Sequence, residues 1–198
     1  MASPLTVTRN DFRLRPKCSD IYTPPAVARF LFDLLNHTGA ATVFDPAVGT
    51  GRLTDPWYDA GCRIIGCDIV DRKARLHRFH LGRYEETKDL ERPDLVVCNP
   101  AFNGCTGRRL YPEVFLEHTF TLFGSTIPSV LFVPMGFRLN QRKKSTRWRW
   151  CRDCGAALTS IIALPLDIFP GVEFHAEILV FNVDGIRPHY FLTEEALQ

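Results

Sequence analysis

Apolar residues fall into short runs at 42–44, 64–66, 95–98, 130–133, 160–164 and 178–183, with helical or polar stretches between most of them. Runs that are apolar at consecutive positions belong to strands covered on both faces. The alternation therefore predicts an α/β fold on a mostly parallel sheet with helices on both faces. The last two runs lie close together, which predicts an antiparallel strand at one edge of that sheet. Ahead of the first run, Ala26, Val27, Phe30, Leu31, Leu34 and Leu35 recur at helical spacing, with Pro24 and Pro25 at the entry and Gly39 at the exit. Residues 1–20 carry Arg9, Arg13, Arg15 and Lys17 without periodicity and read as a basic arm, leaving 21–198 as a single domain. The cluster Arg72, Lys73, Arg75, His77, Arg78, His80 and Arg83 reads as the solvated face of a helix.

Composition narrows the class without deciding it. Hydrophobic residues at 45 % and charged residues at 23 % are ordinary for a soluble globular chain of one domain. No apolar run approaches the roughly 20 residues of a membrane helix, and no signal-peptide core precedes the domain, so a cytoplasmic location is expected. Seven cysteines, an odd number scattered through strands and loops, suit a reducing compartment better than a disulfide framework.

Two strand ends carry candidate chemistry. The first run leads into Asp45-Pro46-Ala47-Val48-Gly49-Thr50-Gly51, a glycine-rich turn opening a helix. No lysine follows Gly51, which excludes the phosphate-cradling loop, and the third glycine of the dinucleotide fingerprint is missing. Asp45 at the strand end instead suits an amino-bearing ligand. Asp68 closes the next strand, where a carboxylate can hold a ribose diol. The third run ends at Asn99-Pro100-Ala101-Phe102. The Asn99 side-chain oxygen and the Pro100 carbonyl are two acceptors for an exocyclic amine, whose delocalised lone pair makes it a poor nucleophile until it rehybridises. Phe102 offers an apolar face for an extruded base.

The order Tyr22-Thr23-Pro24-Pro25, the Asp45 to Gly51 turn, Asp68 and Asn99-Pro100-Ala101-Phe102 resembles the catalytic core of S-adenosylmethionine-dependent N6-adenine DNA methyltransferases, over most of the chain. The resemblance implies a class I methyltransferase-like, Rossmann-like sheet and S-adenosyl-L-methionine as cofactor. It places the cofactor on Tyr22, Thr23, Pro24, Asp45, Pro46, Gly49, Gly51, Asp68 and Asn99. Catalysis falls to Asn99, Pro100 and Phe102, with Phe169 from residues 164–171 as a second aromatic at the target base. Ala101 departs from the family, which usually has a second proline there.

Substrate contact is expected from two basic segments. Seven Lys or Arg and no acid lie between 138 and 152, among them Arg142, Lys143, Lys144 and Arg147, interleaved with Trp148 and Trp150. Cations with aromatics suit a single-stranded or flipped-base substrate; the competing reading is a solvated loop whose tryptophans plug the core. Arg108 and Arg109 follow the Asn-Pro turn and form the second segment. Only about 15 residues follow the last run, too few for a target-recognition domain, so either sequence specificity is low, or the 138–152 loop reads the substrate, or a partner subunit supplies recognition. The partner expected is nucleic acid, DNA ahead of RNA, with no membrane. An RNA adenine methyltransferase and a weak or inactive nucleic-acid-binding or partner-binding subunit remain alternatives. Cys151-x-x-Cys154 lacks a second ligand pair, so no metal is expected.

Overall fold

The computed structural model describes residues 21–102, 109–139, 146–169 and 175–193. Eight strands form one sheet: β1 (Thr42–Asp45), β2 (Arg63–Asp68), β3 (Arg78–Leu81), β4 (Leu95–Cys98), β5 (Ser129–Pro134), β6 (Leu158–Ala163), β7 (Ala176–Phe181) and β8 (His189–Phe191). Their spatial order is β3-β2-β1-β4-β5-β7-β6-β8. The first five are mutually parallel, β7 runs antiparallel to both β5 and β6, and β8 pairs parallel with β6. The antiparallel pairing expected of the last two apolar runs is present, with β7 inserted between β5 and β6.

Burial explains why the runs are apolar throughout. Val43, Ile64, Leu95, Val97, Val130 and Phe132 enter one core cluster, with Val27, Leu31 and Leu35 of α1 (Pro25–Leu35) and Trp57 of α2 (Asp55–Asp59). Their strand neighbours Phe44, Ile65, Val96, Cys98, Leu131 and Val133 enter a second, with Phe115, Phe120 and Phe123 of α3 (Tyr111–Phe123). Successive side chains leave a strand on opposite faces, so a sheet packed on both sides needs both parities apolar. Helix α1 begins with Pro25 at its first turn and Pro24 extended at φ −60°, ψ 140°. A proline cannot follow a helical residue comfortably, so the prolines hold the approaching Tyr22-Thr23 segment extended.

The basic cluster after Asp68 is not a helix. Lys73 sits at φ +60°, and Arg78–Leu81 forms β3, paired residue for residue with Ile65, Gly66, Cys67 and Asp68. The unpaired edge of β2 is satisfied by this strand, and the connection spans only residues 69–77, too short for a crossover helix. His77 serves the same edge, its Nδ1 accepting the Ile64 N–H at 3.0 Å. Residues 1–20, read above as a basic arm, lie outside the described residues. Among those described, no helix is long and apolar enough to cross a membrane.

Candidate active site

The carboxyl ends of β1, β2 and β4 converge because the chain reverses direction across the sheet between β1 and β4, opening a crevice between diverging connections. Its wall is made of Ile21, Tyr22, Thr23, Asp45, Ala47, Val48, Arg52, Leu53 and Asn99. Residues from three separate sequence motifs, 22–23, 45–48 and 99, therefore meet at one place.

The glycine turn is held by its own backbone and by the second acid. Val48 N–H donates to Cys67 O at 3.0 Å and Gly51 N–H to Val48 O at 2.8 Å. Gly49 N–H donates to Asp68 Oδ2 at 2.8 Å, while Val70 N–H takes Oδ1 at 3.1 Å. Asp68 thus shapes the turn; Arg72 Nη1 also lies 3.6 Å from its Oδ1, and of the carboxylate's about four acceptor sites capacity for a ligand remains. Both glycines are required by conformation, at φ +53° for Gly49 and +84° for Gly51. Their close approaches are internal. A Cβ on Gly49 would lie 3.0 Å from the Tyr22 ring, and one on Gly51 would lie 2.9 Å from the Ala74 Cβ.

Asp45 is 1 % exposed and accepts the Ala47 N–H at 2.9 Å. Burial pushes its carboxyl up to about 8, the Ala47 hydrogen bond opposing and the Asp68 charge adding to the rise. A neutral buried acid beside an open crevice is poised to ionise against an arriving cation. Asn99 follows β4 directly, and its Nδ2 donates to Thr23 Oγ1 at 3.0 Å. Cys98, fully enclosed behind it, has its thiol pushed well up by burial and stays neutral. Pro46 and Pro100 are buried, Ala101 is exposed, and Phe102 is half-buried against the cluster that includes α1.

Several expected substrate contacts sit elsewhere. Phe169 is 2 % exposed and lies edge-on to Phe132, with ring centroids 6.3 Å apart, so it is a core residue and no platform for a base. Arg147 donates through Nε and Nη2 to Glu113 Oε2 at 3.0 and 2.9 Å and through Nη1 to Phe137 O at 2.6 Å. Its guanidinium also stacks 4.3 Å from the Phe137 centroid, which commits it to joining α4 (Thr146–Asp153) to α3. Arg109 pairs with Glu113 and Glu117. Trp150 stacks on Phe120 at 5.8 Å, the core-plugging alternative for that tryptophan. The side chain of Trp148, and all of Arg108, Arg142, Lys143 and Lys144, lie outside the described residues. Among the described residues no group of three or more His, Cys, Asp or Glu could hold a metal ion. Sequence reasoning missed Arg52 in the crevice wall; it follows Gly51 directly, and a cation at that position was the available signal.

A sheet of order 3-2-1-4-5-7-6 with the seventh strand antiparallel, here extended by β8, defines the class I methyltransferase fold. No family model matches the sequence, and no curated protein matches it. Solved structures do match. A modification subunit assigned to a type I restriction enzyme of Vibrio vulnificus YJ016 superposes with a TM-score of 0.66 at 17 % identity, over 95 % of this chain and 53 % of the other. A protein assigned as an RNA methyltransferase from Pyrococcus horikoshii gives 0.59 at 18 %, over 81 % and 85 %. Magnesium protoporphyrin IX methyltransferase of Synechocystis PCC 6803, with bound SAM, gives 0.57 at 15 %, over 88 % and 91 %. The chain spans about half the length of the Vibrio subunit. At these identities the likeness is one of fold, and the three proteins differ in substrate.

Proposed function

We propose that this chain transfers a methyl group from S-adenosyl-L-methionine to the N6 amino group of adenine in DNA. The observation that carries the reading is the convergence of Asn99, at the end of β4, with the Asp45 end of the glycine turn on one crevice. When bound, the cofactor supplies an electrophilic methyl group on a sulfonium. Asp45 suits its amino group, because burial leaves the carboxyl ready to ionise only against a cation. The remaining acceptor capacity of Asp68 suits the ribose diol, and Tyr22 and Thr23 line the crevice just ahead of α1.

Asn99 Oδ1 and the Pro100 carbonyl accept the two N–H bonds of the adenine amine, stabilising the positive charge that develops on nitrogen during attack. Phe102 supplies one apolar face to the base. The enzyme acts in the cytoplasm. Target recognition falls to the other cations of the 138–152 segment or to a partner subunit; Arg109, Arg138 and Arg147 are engaged with glutamates.

Tritiated-methyl transfer to duplex DNA, single-stranded DNA and RNA, followed by digestion to nucleosides, tests the reading. The expected product is labelled N6-methyladenine from DNA, reduced roughly 100-fold or more by Asn99→Ala, the order lost when one charge-stabilising group is removed. Label in another nucleoside, or full activity of the variant, overturns it; label confined to RNA moves the same chemistry to that substrate.

A further inference from the structure

We infer that Thr23 is the positioning residue for Asn99, its hydroxyl holding the Nδ2 end of the amide so that Oδ1 is the end left for the substrate amine. The inference rests on the proposed amine methylation at Asn99. A primary amide has nearly the same shape in its two flipped orientations, but only one is productive. With Oδ1 inward it accepts the amine's N–H; with Nδ2 inward, two donors face each other. The strand end fixes only the backbone of Asn99, so a side-chain contact must hold the amide in place.

Thr23 supplies that contact. Its Oγ1 accepts from Nδ2 at 3.0 Å across a sequence separation of 76 residues. Thr23 is 3 % exposed, so water does not compete freely for the bond. Its backbone is held by the Pro24-Pro25 entry to α1, and both Thr23 and Asn99 line the crevice. The motif ahead of the first strand therefore acts on the amine-binding residue as well as bordering the cofactor space. Valine in its place keeps the shape and β-branching but removes the acceptor; serine keeps the acceptor.

The test compares Thr23→Val and Thr23→Ser. The valine variant is expected to lose about tenfold in kcat at saturating cofactor, equivalent to ~1.4 kcal/mol of barrier, a loss that persists once any change in cofactor Kd, read by direct titration, has been saturated out. Serine is expected to restore kcat to within about threefold of the parent. In the ligand-free chain, the Asn99 side-chain amide 1H–15N pair should shift in the valine variant and hold its position in the serine variant. Unchanged kcat in Thr23→Val, a loss in cofactor affinity that accounts for the whole effect, or failure of serine to rescue each overturns the inference. If Asn99→Ala abolishes transfer while Thr23→Val does not alter it, only the positioning role falls. If Asn99→Ala is fully active, the proposed function falls, and the amide resonances still report whether the bond exists.

Discussion

Asp45→Asn is expected to stabilise the ligand-free chain near neutral pH while weakening its hold on an amino-bearing ligand. The Asp45 carboxyl is raised to about 8 by burial, with Asp68 contributing and the Ala47 N–H opposing, against 3.8 for the unperturbed group. Below pH ~4 both folded and unfolded chains are protonated and the group has no effect. Between about 4 and 8 the unfolded chain releases the proton and the folded one keeps it. The unfolded state then binds fewer protons, so stability falls as pH rises, by about 1.4 kcal/mol per unit. Above about 8 both states are ionised and the fall stops. At pH 7 the accumulated cost is about 4 kcal/mol, a large share of the 5–15 kcal/mol typical of a domain. Asparagine is nearly isosteric with the neutral acid, keeps an oxygen for Ala47 N–H and does not titrate.

Urea midpoints measured at several pH values between about 5 and 8 are the assay. The gap between variant and parent should widen with pH at roughly the slope above. Cofactor titration at pH ~8 should show at least a tenfold weaker Kd in the variant, because an amide cannot ionise against the ligand's amino group. A gap independent of pH, or a parent more stable than the variant at pH ~8, would refute the account of a neutral buried Asp45.

Gly51→Ala should cost about 2 kcal/mol or more, because it adds backbone strain at φ +84° to a 2.9 Å collision with Ala74. Gly61→Ala, at φ +86° with open space around the added methyl, isolates the strain, and equal thermal shifts for the two would remove the packing role of Gly51. Arg147→Ala should lower stability by about 1–2 kcal/mol by removing the hydrogen bonds of Arg147 to Glu113, whose side chain is only 15 % exposed and keeps Arg109 as its other partner. Unaltered denaturant midpoints with weakened nucleic-acid binding would return Arg147 to the substrate-contact role.

Much of the fold was legible in the linear pattern because a doubly covered parallel sheet leaves a local signature: Val43-Phe44, Ile64-Ile65 and the 95–98 run are apolar at both parities. The second acid and the glycine turn were legible for a similar reason, since each is a short motif at a strand end. The segment after Asp68 was misread because its cationic spacing fits a helical face. What makes it a strand is the open edge of β2, which exists only once the sheet is assembled. Arg147 was assigned to the substrate by composition and Phe169 by the resemblance; only packing reveals that Glu113 and Phe137 claim the first, and Phe132 the second.

Residue order alone thus determined the α/β class, the strand-end acids and the Asn-Pro turn, because strand burial and tight turns depend on neighbours a few positions away. How the Asn99 amide is held, which cations are already paired with carboxylates and how far Asp45 is pushed from its ordinary acidity were decided by the tertiary structure. The first two depend on groups tens of residues distant, Thr23 and Glu113, brought into contact by folding; the third depends first on burial, with Asp68 adding to it.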